Sequence, residues 1–307
     1  MVAWTDCYGG ETLTVPQFQC LVCDGQELVP YLSSCRDLYL GHPKIVDYVA
    51  CGRCGLVQQH PVPENLGSLY SAYPVHQPKS ELHEWFRRTL LKDVYFNWTA
   101  LPPGARLLDF GCGDGWYLEA VRKAGINCEG YEFQADHARQ LESLLGVPVF
   151  SDVDRLIAER SAAFQAITLH NVLEHVADPR ATIVKLSRLL APDGRIFLSL
   201  PNIDSWESRL FARRWHGLDP PRHVCFPTAK TMDSIAADAG LALESVKGAA
   251  FPNTSAASII AVLMGRYRHA PFLLALPLGI ALSRIAPTGT MTFVLGKASA
   301  APRSESA

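Results

Sequence analysis

One short stretch, residues 107–118, constrains the fold of this chain more than any other. The apolar pair Leu107-Leu108 leads into the run D-F-G-C-G-D-G at residues 109–115, and helix-forming residues follow from Trp116. This order is typical of a strand, a tight turn and a helix N-terminus in an α/β fold. Glycine suits such a turn because it adopts unusual dihedral angles and lets a ligand approach the backbone amides. We therefore expect a cofactor loop here.

A carboxylate stands downstream at the position where such folds bind a ribose. Glu132 ends the next apolar run, where an acid can accept both ribose hydroxyls. A dinucleotide loop, however, would have glycine at Trp116 and no acid before its first glycine. Asp109 would repel a pyrophosphate but would attract a ligand that carries an ammonium and a sulfonium. The pattern therefore favours a cationic sulfur ligand over NAD.

The run at 109–115 resembles motif I of the class I S-adenosylmethionine (SAM)-dependent methyltransferases. The resemblance implies that the acid and the loop hold the methionine part of SAM and that Glu132 holds its ribose. The loop residues implied are Asp109, Gly111, Cys112 and Gly113.

Two later segments are similar to further parts of these methyltransferases. Asp152 follows the third expected strand, where the family uses an acid to accept the adenine amino group. Asp152 is also a good helix N-cap, and both interpretations stay open. The segment H-N-V-L-E-H-V at residues 170–176 resembles the family's segment beneath the adenine and the transferring methyl, and Asn171 is its candidate cofactor residue.

Apolar runs and amphipathic stretches alternate regularly from Arg106, as expected for a Rossmann-like, doubly wound α/β fold with a mostly parallel sheet. Strands are predicted near 106–110, 127–132, 147–150, 165–170 and 194–200, and helices near 115–124, 134–145, 178–190 and 228–239. Residues 291–297 are predicted to form a last, antiparallel strand. Ligands should bind at the carboxyl ends of the parallel strands.

Two C-x-x-C pairs precede this fold: Cys20 with Cys23, and Cys51 with Cys54. Two thiolates on each of two tight turns can complete a tetrahedral zinc site, which predicts a small zinc ribbon. Four thiolates would leave no open position for water or substrate, so the zinc should be structural.

These features divide the chain into four parts. We expect a zinc-ribbon module at 1–62, a linker and N-terminal helix at 63–100, a methyltransferase domain at 101–300 and a tail at 301–307. The domain includes an apolar helical insertion at 249–288. Its two halves are too short to span a membrane, so we expect helices that pack over the active site. Peripheral membrane contact through 256–286 is the alternative.

Composition limits the partners. The formal net charge is -2 and no block of basic residues occurs, which argues against a nucleic-acid partner and leaves a small-molecule substrate. The N-terminus has no basic region followed by an apolar segment, so no secretory signal is visible and a cytoplasmic location is expected.

The long segment 201–227 is dense in polar and aromatic residues, as substrate-facing loops are. Its motif W-H-G-L-D-P-P-R-H resembles a segment found in one bacterial branch of the class I methyltransferases. Members of that branch often carry an N-terminal zinc ribbon, and several methylate sugars or other small metabolites. Methyl transfer to a protonated nucleophile needs a base, for which His223, His175 and His216 are the candidates. Glu174 is a candidate for binding a substrate hydroxyl, and Arg222 for binding a phosphate or carboxylate.

The sequence therefore predicts a SAM-dependent methyltransferase that acts on an oxygen or carbon of a small molecule, with a sugar, glycan or natural-product precursor favoured. Two alternatives are a noncatalytic SAM-binding adaptor, whose zinc ribbon contacts a protein, and a dinucleotide-dependent oxidoreductase. The sequence predicts neither the acceptor nor the oligomeric state.

Overall fold

The computed structural model describes residues 19–63, 66, 69, 89, 91, 94–96, 100–286 and 289–298. The predicted linker and helix over 63–100 lie mostly outside these residues, and the tail at 301–307 lies wholly outside them. The strands are β1 Leu28–Arg36, β2 Ile45–Cys51, β3 Val57–His60, β4 Arg106–Phe110, β5 Asn127–Tyr131, β6 Val149–Phe150, β7 Phe164–His170, β8 Leu190–Pro201, β9 Cys225–Phe226, β10 Leu241–Ala249 and β11 Thr290–Lys297. The helices are α1 Trp116–Lys123, α2 Ala135–Leu145, α3 Val153–Arg160, α4 Pro179–Ser187, α5 Trp206–Phe211, α6 Ala229–Asp238, α7 Pro252–Met264 and α8 His269–Ile285.

Seven strands form the main sheet in the order β10-β11-β8-β7-β4-β5-β6. β8, β7, β4, β5 and β6 run parallel, and β11 runs antiparallel to both of its neighbours. The predicted fold class, a doubly wound and mostly parallel α/β sheet with an antiparallel last strand, is confirmed. The order changes direction between β4 and β7, and ligands of such sheets bind at that crevice.

Two elements of the α/β domain differ from the prediction. Helix α3 was not predicted, and it begins where Asp152 accepts hydrogen bonds from Asp154 N and Arg155 N. β8 begins at Leu190, which pairs with Phe164, whereas a helix was expected as far as residue 190. Both differences arise at short connections, where a cap or a strand pairing decides the boundary and the apolar period does not.

A second, four-stranded sheet has the order β1-β2-β3-β9. Its first three strands come from the predicted ribbon, but β9 comes from the segment predicted to face the substrate. Val57 pairs with Phe226, and the hydroxyl of Thr231 on α6 donates to the carbonyl of Cys54 at 2.9 Å. The apolar core around Cys54 continues into Ile235 of α6. The ribbon and the α/β domain therefore share a core.

Helices α7 and α8 form an antiparallel hairpin inserted between β10 and β11. Gly279 lies so close to the first turn of α7 that a Cβ there would sit 2.6 Å from the carbonyl oxygen of Pro252. Within the described residues, no helix combines the length and apolar character needed to cross a bilayer.

Candidate active site

The glycine loop follows β4 at the switch point of the sheet. Gly111, Gly113 and Gly115 all have positive φ values, of 82°, 54° and 75°. A Cβ on Gly111 would also lie 2.6 Å from Cγ2 of Val172. The loop therefore needs glycine both for its backbone conformation and for its close approach to the segment after β7.

Asp109 lies at the carboxyl end of β4 and is almost fully buried. Its Oδ1 accepts a hydrogen bond of 2.9 Å from the hydroxyl of Thr168 on the neighbouring strand β7. Burial raises the pKa of Asp109 to about 7, because this hydrogen bond only partly replaces lost hydration. A bound cation would favour the ionised form.

Glu132 follows β5 and is also buried. Its two oxygens accept backbone hydrogen bonds of 3.2 Å, Oε2 from Gly113 N and Oε1 from Gln134 N. Burial raises the pKa of Glu132, and these hydrogen bonds oppose the shift. The carboxylate is thus fixed against the glycine loop at the position where a ribose would be bound.

A cavity of about 840 Å³ extends from this loop across the carboxyl edge of the sheet. Asp109, the glycine loop and Glu132 line one part, and His175, His216 and His223 line another. The cavity is large enough for a nucleoside-sized ligand and a small acceptor together.

Segment 201–227 contributes His216 and His223 to the cavity lining, and the small sheet holds this segment in place. Tyr48 of β2 donates from its hydroxyl to the carbonyls of Leu218 at 3.3 Å and His223 at 3.0 Å. Gln59 of β3 donates its backbone N–H to the carbonyl of Val224 at 2.8 Å. The ribbon strands thus fix the backbone on both sides of His223.

His223 and His175 lie together in the cavity lining, with ring centroids 4.6 Å apart. Nδ1 of His223 lies 2.8 Å from the carbonyl oxygen of Gly217, and Nδ1 of His175 lies 3.1 Å from that of Arg222. Since a carbonyl only accepts, each Nδ1 carries the proton and each neutral ring has its lone pair on Nε2. Burial lowers the pKa of His175 to about 3 and lowers the pKa of His223.

Two carboxyl groups face Nε2 of His223. Oε1 of Glu174 lies 4.0 Å away, and Oδ2 of Asp219 lies 3.9 Å away. Glu174 is fully buried, and its Oε2 has no hydrogen-bond partner within the described residues. Burial raises the pKa of Glu174 to about 8. This group is therefore a neutral acid near pH 7 and can donate a hydrogen bond.

Arg222, the predicted ligand for a substrate anion, is buried and pairs with two carboxylates. Its guanidinium donates to Oδ2 of Asp37 at 2.8 Å from Nη1 and to Oδ2 of Asp219 at 2.9 Å from Nε, with a further bond from Nη2 to Oδ1 of Asp219. The side chain is 2% exposed and is not part of the cavity lining. Two carboxylates pair with the guanidinium, and its contact with a substrate phosphate or carboxylate stays a prediction.

The remaining predicted residues divide between the cavity and its surroundings. His216 lines the cavity, its ring packs edge-on against Tyr39 at 5.1 Å, and burial lowers its pKa. Asn171 lines it too and donates from Nδ2 to Oε1 of Glu174 at 3.2 Å. Asp152 caps α3 and is not part of the cavity lining, so its contact with adenine stays a prediction.

Several cavity residues were given no role from the sequence. His170 ends β7 beside the rings of Tyr95 and Tyr117, at centroid distances of 4.7 and 4.8 Å. Its position at a strand end was a usable signal. Asp219 was also missed, although it stands three residues before Arg222, at a spacing that lets the two side chains pair. Tyr39 comes from the ribbon, and no local pattern places it at this cavity.

The four cysteine thiols of the C-x-x-C pairs converge on one point. Sγ of Cys20 lies 3.4 Å from that of Cys54, Sγ of Cys23 lies 3.5 Å from that of Cys51, and all four atoms lie within 4.8 Å of one another. Tetrahedral coordination with Zn–S bonds of about 2.3 Å needs sulfur atoms separated by roughly 3.8 Å. The cluster fits that geometry.

Comparison with known proteins shows which family the chain belongs to. A profile of the methyltransferase domain family matches residues 82–246, more than half of the chain. The chain belongs to the methyltransferase domain family. Together with the strand order, this match identifies a class I SAM-dependent methyltransferase domain, and residues 82–246 contain the glycine loop, both buried acids and His175.

Individual relatives cover smaller parts of the domain. The ubiquinone biosynthesis O-methyltransferase of Xanthomonas axonopodis pv. citri (strain 306) is 38% identical over 107 residues, which cover 33% of this chain and 45% of that protein. The enzyme of the same name from Xylella fastidiosa (strain 9a5c) is 36% identical over 105 residues, covering 32% and 43%. The chain thus aligns with less than half the length of either relative.

Among solved structures, a SAM-dependent methyltransferase from Archaeoglobus fulgidus matches with a TM-score of 0.46 and 18% identity. The match covers 76% of this chain and 100% of that chain. At this score, nothing about function follows from the likeness.

Proposed function

We propose that this chain transfers the methyl group of SAM to a hydroxyl oxygen of a small molecule. The observation that carries the proposal is the single cavity that joins the buried acids Asp109 and Glu132 to the unprotonated Nε2 of His223. When bound, SAM supplies an electrophilic methyl group. The buried acids suit its ammonium and ribose, and the glycine loop lines the cavity beside both of them.

His223 is the residue best placed to remove the acceptor's proton. Its Nδ1–H is fixed on the carbonyl of Gly217, so Nε2 points its lone pair away from that bond. Its lowered pKa keeps the ring neutral near pH 7. After proton transfer, the carboxylate of Asp219 at 3.9 Å stabilises the imidazolium. Removal of the hydroxyl proton would leave an alkoxide or phenolate. Transfer of the methyl group to this oxygen would break the methyl–sulfur bond of SAM and release S-adenosylhomocysteine.

The acceptor class is inferred from the sequence and from the names of two relatives. The sequence favoured a sugar, glycan or natural-product precursor, and transfer to carbon stays an alternative to transfer to oxygen. Because Arg222 is paired with Asp37 and Asp219, it no longer supports an acceptor that carries a phosphate or carboxylate. The names of the two bacterial relatives support oxygen as the methylated atom.

We further propose that the four cysteines bind one structural zinc ion and that the ribbon positions the part of segment 201–227 that contains His223. We call this part of the cavity lining the acceptor wall. The support is the convergence of the thiols and the two backbone carbonyls held by Tyr48 beside His223. The zinc would fix the turn at residues 51–54 that joins β2 to β3. Tyr48 of β2 and the pairing of β3 with β9 hold residues 218–226.

A turnover assay tests the proposal. Wild-type protein, SAM and a panel of sugar, phenol and catechol acceptors should give S-adenosylhomocysteine and a methylated product. His223→Ala should lower turnover roughly 100-fold, the low end of what a general base contributes, with little change in SAM affinity. His269→Ala, at an exposed histidine outside the cavity, is the matched control. Equal turnover in His223→Ala and the control would exclude His223 as the base.

A further inference from the structure

The α7–α8 hairpin carries a row of apolar side chains on its outer surface. Leu274, Leu278 and Ile285 of α8 are 84%, 52% and 82% exposed. Their spacing of four and seven residues places them on one helix face. The opposite face includes Gly279, which is buried against Pro252 at the start of α7. The outer face therefore has no cover within the described residues.

Further apolar side chains are exposed toward the tip of the hairpin. The end of α7 and the second turn of α8 add four exposed apolar side chains: Val262, Leu263, Met264 and Leu273. Single exposed leucines are common on soluble proteins, but seven large apolar side chains on one hairpin form a patch. Such patches mark sites of contact with proteins or membranes.

The charges that the hairpin itself carries have one sign. Between Glu244 and Glu305 the chain has no aspartate or glutamate but has four arginines and two lysines. Arg266 and Arg268 lie at the hairpin connection and Arg284 lies near the end of α8, and all three are exposed. Within the described residues, none of the three forms an ion pair. The patch is therefore apolar along its length and cationic at both ends.

The base of the hairpin lies at the cavity. Phe251, Asn253 and Thr254, around the start of α7, are all part of the cavity lining. A surface that binds the hairpin would therefore lie near the part of the cavity that holds His216.

We propose that the hairpin docks on an anionic membrane surface, with its leucines in the interface and its arginines on lipid phosphates. This goes beyond methyl transfer and does not depend on it. An apolar helix face with cations at its borders matches the two attractions of such a surface, burial of apolar area and binding of anionic headgroups. A second copy of the chain fits less well, because two hairpins would bring arginines together with no carboxylate between them.

Vesicle co-sedimentation of the full chain tests the proposal. Wild-type protein should bind vesicles of phosphatidylcholine with one quarter phosphatidylglycerol and should bind pure phosphatidylcholine vesicles weakly. Raising the salt concentration should weaken binding, because it screens the arginines. The double variant Leu274→Asp, Leu278→Asp should bind roughly tenfold less or weaker, since charge replaces apolar area at the interface.

The matched control is Leu144→Asp, at a leucine of α2 that is 77% exposed and outside the hairpin. It should bind vesicles as the wild type does, and unchanged thermal melting of all variants shows that they fold. The triple variant Arg266→Gln, Arg268→Gln, Arg284→Gln should lose the preference for anionic vesicles. Two results would overturn the proposal: wild-type protein that binds neither kind of vesicle, or a dimer in light scattering that Leu274→Asp dissociates.

Discussion

SAM affinity should depend on pH through Asp109. Burial raises the pKa of this carboxyl to about 7, so the unliganded protein holds it as a mixture of acid and carboxylate near neutrality. Only the carboxylate attracts the ammonium of SAM. About a tenth of the groups are ionised at pH 6 and about three quarters at pH 7.5, so affinity should rise roughly eightfold between these values.

The assay is isothermal titration with SAM in one buffer system from pH 5.5 to 8.5. Affinity should fall again above about pH 8, because the ligand's own α-amino group then loses its proton. Asp109→Asn keeps an oxygen for the hydroxyl of Thr168 but cannot ionise. It should bind SAM more weakly and lose the rise between pH 6 and 7.5, while the fall at high pH remains.

Glu174 has a pKa of about 8 and therefore titrates in nearly the same pH range as Asp109. A variant of Glu174 tests whether this second group causes the pH dependence. Glu174→Gln should keep the rise below pH 7.5, since this residue lies beside the predicted base and not beside Asp109. A flat wild-type profile between pH 6 and 7.5, or a rise that survives in Asp109→Asn, would refute the assignment of Asp109 to the ammonium.

Three further predictions concern the frame around the site. Gly111→Ala should lower the free energy of unfolding by about 1–3 kcal/mol more than Gly125→Ala, because both glycines have φ near 80° but only Gly111 would clash, and equal losses in urea titrations would contradict this. Metal analysis should find about one zinc per chain, and a metal-free wild type would contradict the zinc site. Cys54→Ser should lower the melting temperature of the whole domain in one transition, because the ribbon and the domain share a core. Tyr48→Phe should lower turnover severalfold at unchanged SAM affinity, because it removes the hydrogen bond to the carbonyl of His223. If this variant turns over as fast as the wild type, the ribbon does not position the acceptor wall.

Local patterns were enough to predict the α/β half of the molecule. The loop at 109–115 and the acid at Glu132 belong to one strand–turn–helix–strand unit, in which glycine spacing and apolar runs determine the geometry. The C-x-x-C pairs were equally local, because each pair lies on a single turn. In all of these, the residues that act together stand within about twenty positions or share a repeated spacing.

What the sequence did not show depends on contacts between distant residues. β3 pairs with β9 across about 170 residues, and this pairing turns the predicted separate ribbon into a support for the acceptor wall. The pairing of Arg222 with Asp37, 185 residues away, leaves no sign in the local pattern. A charged side chain in a polar loop reads the same whether a ligand or a distant carboxylate pairs with it.

The most direct test of the central claim is an equilibrium titration of the protein with S-adenosylhomocysteine and, in parallel, with NADH. The account predicts one site per chain for S-adenosylhomocysteine and no binding of NADH. Glu132→Ala should lose roughly 100-fold in affinity, because it removes the carboxylate that Gly113 N and Gln134 N hold in place and that is expected to accept two charge-assisted hydrogen bonds from the ribose. Binding of NADH, or an affinity for S-adenosylhomocysteine that Glu132→Ala leaves unchanged, would contradict the account.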